Sequence, residues 1–168
     1  LNQTIIDNKI THPARILTEL DQLINQTLKQ NKEHEHYVQD GMDLALVKVD
    51  KRNKKLTFTS AKRPGWFISK GELRELKGSK HSLGGMISGG KYFENIPVDF
   101  KEDDMLYMFT DGFIDQFGGP KGKKFSTRQL RELVPVITRL NVQEQQRKLE
   151  QIFEDWKKGY EQIDDVLI

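Results

Sequence analysis

The sequence predicts an α+β fold, in which strands joined by hairpins form antiparallel sheets and the helices lie towards the ends of the chain. Three observations support this prediction. Residues 13–28 carry apolar side chains at three- and four-residue steps, as an amphipathic helix does. Residues 42–110 contain short apolar segments separated by turn residues, which predicts about six strands. Residues 126–159 again show helical periodicity, with two signals for the start of a helix.

The composition is that of a folded domain. The chain has 168 residues, of which 27 are basic and 25 acidic, for a net charge of +2. The absence of cysteine excludes a disulfide framework, a thiolate metal site and a cysteine nucleophile. Because the two signs of charge are interspersed, nucleic acid is not expected as a partner. No apolar run approaches the roughly 18 residues that a membrane span needs.

The first predicted helix begins at Thr11-His12-Pro13, where a hydroxyl can cap free N–H groups and proline is tolerated in the first turn. Residues 1–8 are expected to be the end of an earlier helix. A hairpin is predicted over residues 42–61, with its turn at Asp50–Lys54. The apolar face of the first predicted helix consists of Ile16, Leu17, Leu20, Leu23, Ile24 and Leu28.

The later elements follow the same two periodicities. Met105–Thr110 is a continuous apolar run, short enough to be a buried central strand. The two helices after it are predicted to start at Ser126 and Asn141, which have capping-box spacing or its asparagine variant. The last residues, 162–168, are predicted to form another buried strand. Further strands are predicted at Trp66–Ser69, Leu73–Lys77 and Lys91–Phe100.

Gly85–Lys91 has the glycine and lysine positions of a phosphate-binding loop. Tyr92, however, occupies the position of the Ser or Thr that would hold Mg²⁺, and a strand rather than a helix is predicted to follow. A nucleotide-binding loop is therefore disfavoured against a flexible loop or a lid over a site.

The pattern with the most chemical content is a pair of acidic sites beside predicted strands. Asp111 follows the apolar run that ends at Thr110, while Asp164 and Asp165 precede the apolar end of the chain. Oxygen donors without cysteine partners suit Mg²⁺ or Mn²⁺, and paired ions of this kind generate a hydroxide and clamp a phosphoryl group. An Asp-Gly after a strand is also the pattern of an ordinary turn, so both interpretations stay open on the residues alone.

Five segments, taken together, resemble the PPM-type metal-dependent serine/threonine protein phosphatases, in the bacterial branch typified by stage II sporulation protein E (SpoIIE). The resemblance covers nearly all of the chain, and the Thr-Asp-Gly and terminal Asp-Asp motifs have the family's order and spacing. The segments are Asp40-Gly41-Met42-Asp43, Ala61-Lys62-Arg63-Pro64, Thr110–Gly119, Lys123-Lys124-Phe125 and Gln162–Leu167.

The resemblance implies an α-β-β-α sandwich of two antiparallel sheets flanked by helices, with an active site at one edge. It also implies two Mn²⁺ or Mg²⁺ ions, whose bridging water attacks phosphoserine or phosphothreonine without a covalent enzyme intermediate. Asp111 and Asp164 would be direct metal ligands, with Asp165 replacing Asp164 if the register differs by one residue. Asp115 would hold a metal-bound water or contribute to a weaker third ion site.

Two further acidic motifs of the family precede the region that matches Leu1 and have no counterpart here. The fold is therefore expected to be incomplete at the N-terminus, with residues 1–168 forming a partial domain that corresponds to the C-terminal two-thirds of the phosphatase domain. The isolated chain is expected to be inactive, and the whole protein to be a phosphatase. The alternative is a non-catalytic pseudophosphatase, or a signalling module that binds a phosphoprotein.

The resemblance also implies partners and a location. The expected substrate is a regulatory phosphoprotein, such as an anti-anti-sigma-like regulator, which Lys62 and Arg63 would steer towards the site. A sensor domain is expected upstream in the same chain, and the helix at 13–30 offers a surface for a homodimer. The protein is expected to be bacterial and cytoplasmic, with a membrane tether in an upstream region as an alternative.

Overall fold

A computed structural model describes residues 10–30, 41–85 and 90–168, without the side chains of residues 28–30. The predicted helix at residues 1–8 and the motif residue Asp40 lie outside the described residues. No helix in the described part is long and apolar enough to cross a membrane. The elements are α1 (Pro13–Gln30), β1 (Leu44–Asp50), β2 (Lys55–Ala61), β3 (Gly65–Ser69), β4 (Glu72–Leu76), β5 (Ile96–Asp99), β6 (Met105–Met108), α2 (Gly112–Asp115), β7 (Phe117–Gly118), β8 (Lys123–Lys124), α3 (Thr127–Ile137) and α4 (Val142–Lys157).

The order of these elements confirms the predicted α+β class. The chain divides into two compact units, the first made of Leu1–Gly65 and Glu75–Glu102, the second of Trp66–Arg74 and Asp103–Ile168. Each unit contains a three-stranded sheet and at least one helix, and each has a hydrophobic cluster of its own.

The first unit contains the predicted hairpin. Its strands β1 and β2 pair antiparallel, with Leu44 opposite Ala61, and β5 pairs antiparallel with the other edge of β2. Helix α1 begins where the sequence predicts it. A distant residue caps its first turn, because the Ala14 amide donates to Asn95 Oδ1 at 2.9 Å. Leu17 is fully buried in the cluster under the helix, whereas Leu23 is 40% exposed, so the buried face is narrower than predicted.

The predicted strand over Lys91–Phe100 is too long, because only Ile96–Asp99 forms β5. The residues before β5 contact helix α1 with their side chains instead. Lys91 Nζ lies 2.7 Å from Asp21 Oδ1, and Asn95 accepts the bond from Ala14. These contacts with a helix fix the segment outside the sheet, which the apolar pattern alone did not indicate.

The second unit contains a sheet with the strand order β4-β3-β6, together with the helices α2, α3 and α4. Helices α3 and α4 start at the two predicted caps: Ser126 Oγ accepts a hydrogen bond from the Gln129 amide, and Asn141 forms a complete capping box with Glu144. The core of this unit is rich in aromatic side chains, and its members include Trp66, Tyr107, Phe113, Phe125 and Phe153.

The predicted buried strand at the end of the chain is wrong. Residues 162–168 form no strand, and Ile163, Leu167 and Ile168 are 40–68% exposed. A backbone hydrogen bond joins this segment to the residues after β6: the Thr110 amide donates to the Leu167 carbonyl at 3.1 Å. The other bonds to this segment come from the Thr110 side chain, so no strand ladder develops.

Candidate metal centre

The predicted ligand Asp111 lies directly beyond the end of β6, where the chain turns into the short helix α2. Asp111 precedes the first helical residue, Gly112, and its backbone carbonyl accepts from the Asp115 amide at 2.8 Å. Its side chain makes no capping hydrogen bond to the helix. The turn therefore fixes the backbone of Asp111 without using its carboxylate as a helix cap.

Thr110 and Gly112 join this turn to the last residues of the chain. The Thr110 hydroxyl donates to the Asp165 carbonyl at 2.8 Å and accepts from the Leu167 amide at 3.1 Å. A Cβ atom at position 112 would collide with the carbonyl of Asp165, so only glycine fits this approach. The structure thus brings the two acidic motifs together, although they are more than fifty residues apart in the sequence.

Asp164 and Asp165 lie in the irregular segment formed by residues 162–168, and both are exposed. Asp164 Oδ1 accepts from the Asp165 amide at 2.7 Å, and the Asp164 carbonyl accepts from Gln162 Nε2 at 2.9 Å. These local bonds orient the segment. The backbone contacts with the Thr-Asp-Gly turn are made by Asp165 and Leu167, and Asp164 directly precedes the first of them.

Asp115 has a partner in the described structure, since its Oδ1 lies 3.1 Å from Lys124 Nζ on β8. Both side chains are about half exposed, at 41% and 50%, so the pair contributes little to stability. Its position on α2 still places it one helical turn after Asp111. The predicted role of Asp115 towards a metal-bound water stays a prediction.

Gln116, which follows α2, anchors the turn to the rest of the second unit. Its side-chain amide donates to the carbonyls of Phe117 and Glu161, at 3.0 and 2.9 Å. Its backbone carbonyl accepts from Trp156 Nε1 at 3.0 Å and from the Phe125 amide at 3.0 Å. Sequence reasoning missed this fully buried residue, because a lone glutamine in a loop carries no periodic signal.

A comparison with models of protein families shows to which family the chain belongs. The model of the family described as stage II sporulation protein E (SpoIIE) matches residues 2–168. The chain belongs to the SpoIIE family. This confirms the resemblance inferred from the five motif segments. No match was found among curated protein sequences.

Solved structures of phosphatase domains have a fold similar to that of this SpoIIE chain. The SiaA-PP2C domain of Pseudomonas aeruginosa is 30% identical with a TM-score of 0.84; the match covers 98% of this chain and 62% of that one. The phosphatase domain of the cell fate determinant SpoIIE from Bacillus subtilis is 16% identical with a TM-score of 0.54, covering 98% and 68%. The second likeness supports the fold alone. The chain spans less than two-thirds of the length of the SiaA-PP2C chain.

The residues of this SpoIIE chain fit part of a divalent metal site. One of the B. subtilis SpoIIE structures is described as presoaked with Mn. Carboxylate oxygens are the donors that Mg²⁺ and Mn²⁺ prefer, and Asp111 and Asp164 lie in segments that touch. Within residues 10–30, 41–85 and 90–168, however, no group of three or more acidic or histidine side chains could hold a metal ion. The described residues therefore do not form a complete metal site by themselves.

The other predicted functional residues of the SpoIIE chain lie in the first unit. Lys62 Nζ and Arg63 Nε lie 3.9 and 3.6 Å from Asp43 Oδ2. Lys91, the lysine of the loop that resembles a phosphate-binding loop, forms an ion pair with Asp21 and donates to the Gly84 carbonyl, and its side chain is only 3% exposed. This lysine is used in a buried ion pair, which disfavours a nucleotide-binding role further.

Proposed function

We propose that the protein containing this chain hydrolyses phosphoserine or phosphothreonine in a regulatory phosphoprotein, using a water activated by divalent cations, with Asp111 and Asp164 as ligands. Membership of the SpoIIE family over residues 2–168 supports phosphatase activity as the general class. The observation that carries the residue assignment is the contact of Thr110 and Gly112 with the backbone of Asp165. It brings the two acidic motifs to one place at the end of β6.

The chemistry follows from the donor set. A bound Mn²⁺ or Mg²⁺ would lower the pKa of its water and stabilise the charge on the transferred phosphoryl group. Asp111 is positioned by the turn into α2, and the exposed segment of Asp164 leaves room for a large protein substrate. Because ligand number and charge set the affinity for a cation, two carboxylates hold an ion weakly. We therefore place the remaining ligands of a two-ion site outside the residues that the structure describes.

The partners in this proposal are a phosphoprotein of the anti-anti-sigma-like class and a sensor domain in the same polypeptide. A cytoplasmic location is consistent with such a substrate, and a homodimer through α1 is a further proposal.

One observation favours a second candidate, a pseudophosphatase that binds a phosphoprotein without hydrolysing it. In the part of the chain that the structure describes, the acidic residues do not assemble a complete metal site. If the whole protein also lacks further acidic ligands, recognition without catalysis remains. The two candidates differ in a direct way, because only the enzyme releases inorganic phosphate from a bound phosphoprotein.

The first test measures phosphate release from a phosphoserine peptide by the intact protein in the presence of Mn²⁺. We expect Asp111→Asn to lower kcat by at least about 100-fold, because it removes a charged ligand and leaves the fold of the turn intact. Asp155→Asn is the matched control: it neutralises an exposed aspartate on α4 and should leave the rate unchanged.

Two results would contradict the proposal. Undiminished hydrolysis by Asp111→Asn would show that this carboxylate is not a ligand. Binding of the phosphopeptide without release of phosphate, in wild type as well as in the variant, would favour the pseudophosphatase. Comparing Asp164→Asn with Asp165→Asn in the same assay decides which residue of the terminal pair is the ligand.

A further inference from the structure

A polar cavity of about 700 Å³ lies within the first unit, on segments that the proposed metal site does not use. Cavities that bind small ligands have volumes of about 300–1,000 Å³, so the size is sufficient for a phosphorylated side chain and its neighbours. We call it the basic cavity. The charged and hydrogen-bonding side chains on its wall include Asp43, Lys62, Arg63, Lys80, His81 and Ser82.

The wall of the basic cavity is fixed by backbone hydrogen bonds between three segments of the chain. Met42 and Leu83 exchange both of their backbone bonds, at 2.7 and 2.8 Å. The Lys62 amide donates to the Ser79 carbonyl at 2.8 Å, and the Ser79 amide donates to the Ser60 carbonyl at 2.9 Å. The cationic side chains therefore extend from backbone whose position is set in advance of any ligand.

The backbone at Lys62 is in a conformation that few L residues adopt. Its φ angle is 68°, in the left-handed region, and the Arg63 amide closes a three-residue turn by donating to the Ala61 carbonyl at 2.9 Å. Glycine would adopt this conformation without strain. A lysine in its place retains a charged side chain at the cavity wall, which is the pattern expected where strain serves a binding function.

The described lining of the basic cavity contains more cations than carboxylates. Asp43 is the only carboxylate among its described lining residues, and it lies near both Lys62 and Arg63. The Ser82 hydroxyl donates to Asp43 and so orients that carboxylate. Lys80 is a third cation, and it is exposed. Lys91 also lines the cavity, but Asp21 neutralises it.

We propose that the basic cavity is a binding site for a phosphate monoester dianion or inorganic phosphate, with Lys62, Arg63 and Lys80 as the contacting cations. Three cationic side chains on one wall favour an anionic ligand, and an arginine beside lysines is suited to phosphate oxygens. Asp43 holds Lys62 and Arg63 near each other without ligand, and it repels the anion when ligand is bound. None of the residues of this site is a proposed metal ligand.

The test titrates the intact protein with inorganic phosphate, with a phosphoserine peptide and with the same peptide unphosphorylated. Calorimetry is done in EDTA, so that phosphate cannot bind through a metal ion. We expect saturable binding of one phosphate group per chain, with affinity that falls as salt is raised. If the natural ligand is a phosphorylated protein, the phosphopeptide should bind more tightly than inorganic phosphate. If the natural ligand is free phosphate, the two should bind with equal affinity.

Three variants make the assignment specific. The double variant Lys62→Gln/Arg63→Gln should weaken binding by at least about tenfold, because it removes both cations beside Asp43. Lys51→Gln/Arg52→Gln removes the same two residue types from the exposed β1–β2 turn and should leave the affinity unchanged. Asp43→Asn should tighten binding about three- to tenfold, since it removes the repelling carboxylate.

The proposal is overturned if phosphate does not bind, if both double variants weaken binding equally, or if the unphosphorylated peptide binds as well as the phosphopeptide. A measurement on the wild type does not depend on whether the variants fold. In its NMR spectra, phosphate should shift the backbone amide resonances of residues 61–63 and 79–84. Shifts confined to other residues would contradict the proposed site. Asp111→Asn should bind phosphate normally, which separates this proposal from that of the phosphatase reaction.

Discussion

Thr110 uses one hydroxyl for two hydrogen bonds, and both go to the segment that carries the second acidic motif. A valine of nearly the same shape would fill the position but leave the Asp165 carbonyl and the Leu167 amide without these partners. The threonine in Thr-Asp-Gly therefore has a positioning role beside the aspartate. The glycine has another, because its missing Cβ admits the Asp165 carbonyl.

Lys91 illustrates how surroundings determine what a residue can do. Its position in a glycine-rich stretch is typical of a phosphate-binding lysine, but Asp21 Oδ1 accepts both from its ammonium and from the Gly84 amide. With 3% of the side chain exposed, the pair is largely removed from water. Removing one member would leave a buried charge, at a cost of about 3–5 kcal/mol. The lysine fastens the loop to α1.

Tyr107 on β6 should make the stability of the fold depend on alkaline pH. Burial raises the pKa of its phenol from 10.0 to about 12, and its hydroxyl donates to Gln145 Oε1 at 2.5 Å. Between pH 10 and 12 the unfolded chain loses this proton while the folded one keeps it, so unfolding becomes easier. The stabilisation present below pH 10 should therefore fall by about 2 kcal/mol towards pH 12.

Urea unfolding of wild type and Tyr107→Phe between pH 8 and 12 checks this. At pH 8 the variant should be less stable by about 1 kcal/mol, because Gln145 loses its partner. The difference should vanish or reverse by pH 12. Tyr92→Phe, which removes a phenol that is 78% exposed, is the matched control. A constant difference between wild type and Tyr107→Phe would contradict the prediction.

The helices of the second unit depend on their first turns. In the capping box of α4, the Glu144 amide donates to Asn141 Oδ1 at 2.9 Å and the Asn141 amide donates to Glu144 Oε2 at 3.1 Å. Helix α4 also supplies Gln145, Leu149 and Phe153 to the buried side of the unit. Its start therefore sets the register with which these side chains meet β6.

Asn141→Ala should lower the free energy of unfolding by about 1 kcal/mol, because the amide groups of the first turn lose their acceptor. Chemical denaturation would measure this difference. The dependence of the unfolding free energy on denaturant concentration should be the same in the variant and the wild type. Arg147→Ala, at an exposed position on the same helix, should change the stability by less than about 0.5 kcal/mol. Equal effects of the two substitutions would show that the cap contributes nothing specific.

Elements with local signals were predictable from the sequence, and elements defined by distant contacts were not. The start of α1, the β1–β2 hairpin and the caps at Ser126 and Asn141 each have a signal within a few residues, and all are confirmed. The early part of the predicted strand before β5 and the terminal strand fail. Both segments contact side chains far away in the sequence, on α1 and at Thr110, and apolar periodicity does not report such contacts.

The candidate site shows the same division. The acidic residues beside predicted strands pointed to Asp111, Asp164 and Asp165, and the family resemblance assigned ligand roles to Asp111 and Asp164. The two segments do meet. The basic cavity was not predicted as a site, although Lys62 and Arg63 were singled out. Its third wall, around Ser82, is joined through the pairing of Met42 with Leu83, which no sequence pattern signals.

In the molecule as a whole, the two proposed sites belong to different units. The proposed metal ligands lie in the second unit, and the basic cavity lies in the first. Each unit has its own hydrophobic cluster, and no residue of the basic cavity is a proposed metal ligand. The proposed metal and phosphate sites can therefore be tested independently.

Divalent metal should stabilise the intact protein much more than the isolated 168-residue chain. A ligand that binds only the folded state adds about 2.7 kcal/mol at a hundred times its dissociation constant. If residues outside this chain complete the site, Mn²⁺ should raise the melting temperature of the intact protein by several degrees, and EDTA should reverse the effect. The isolated chain should show a small shift and release no phosphate from a phosphoserine peptide. Asp111→Asn in the intact protein should lose the shift, with Asp155→Asn as the control. Mn²⁺-dependent hydrolysis by the isolated chain would disprove the need for further ligands, and a melting temperature of the intact protein that is independent of Mn²⁺ would disprove the metal site.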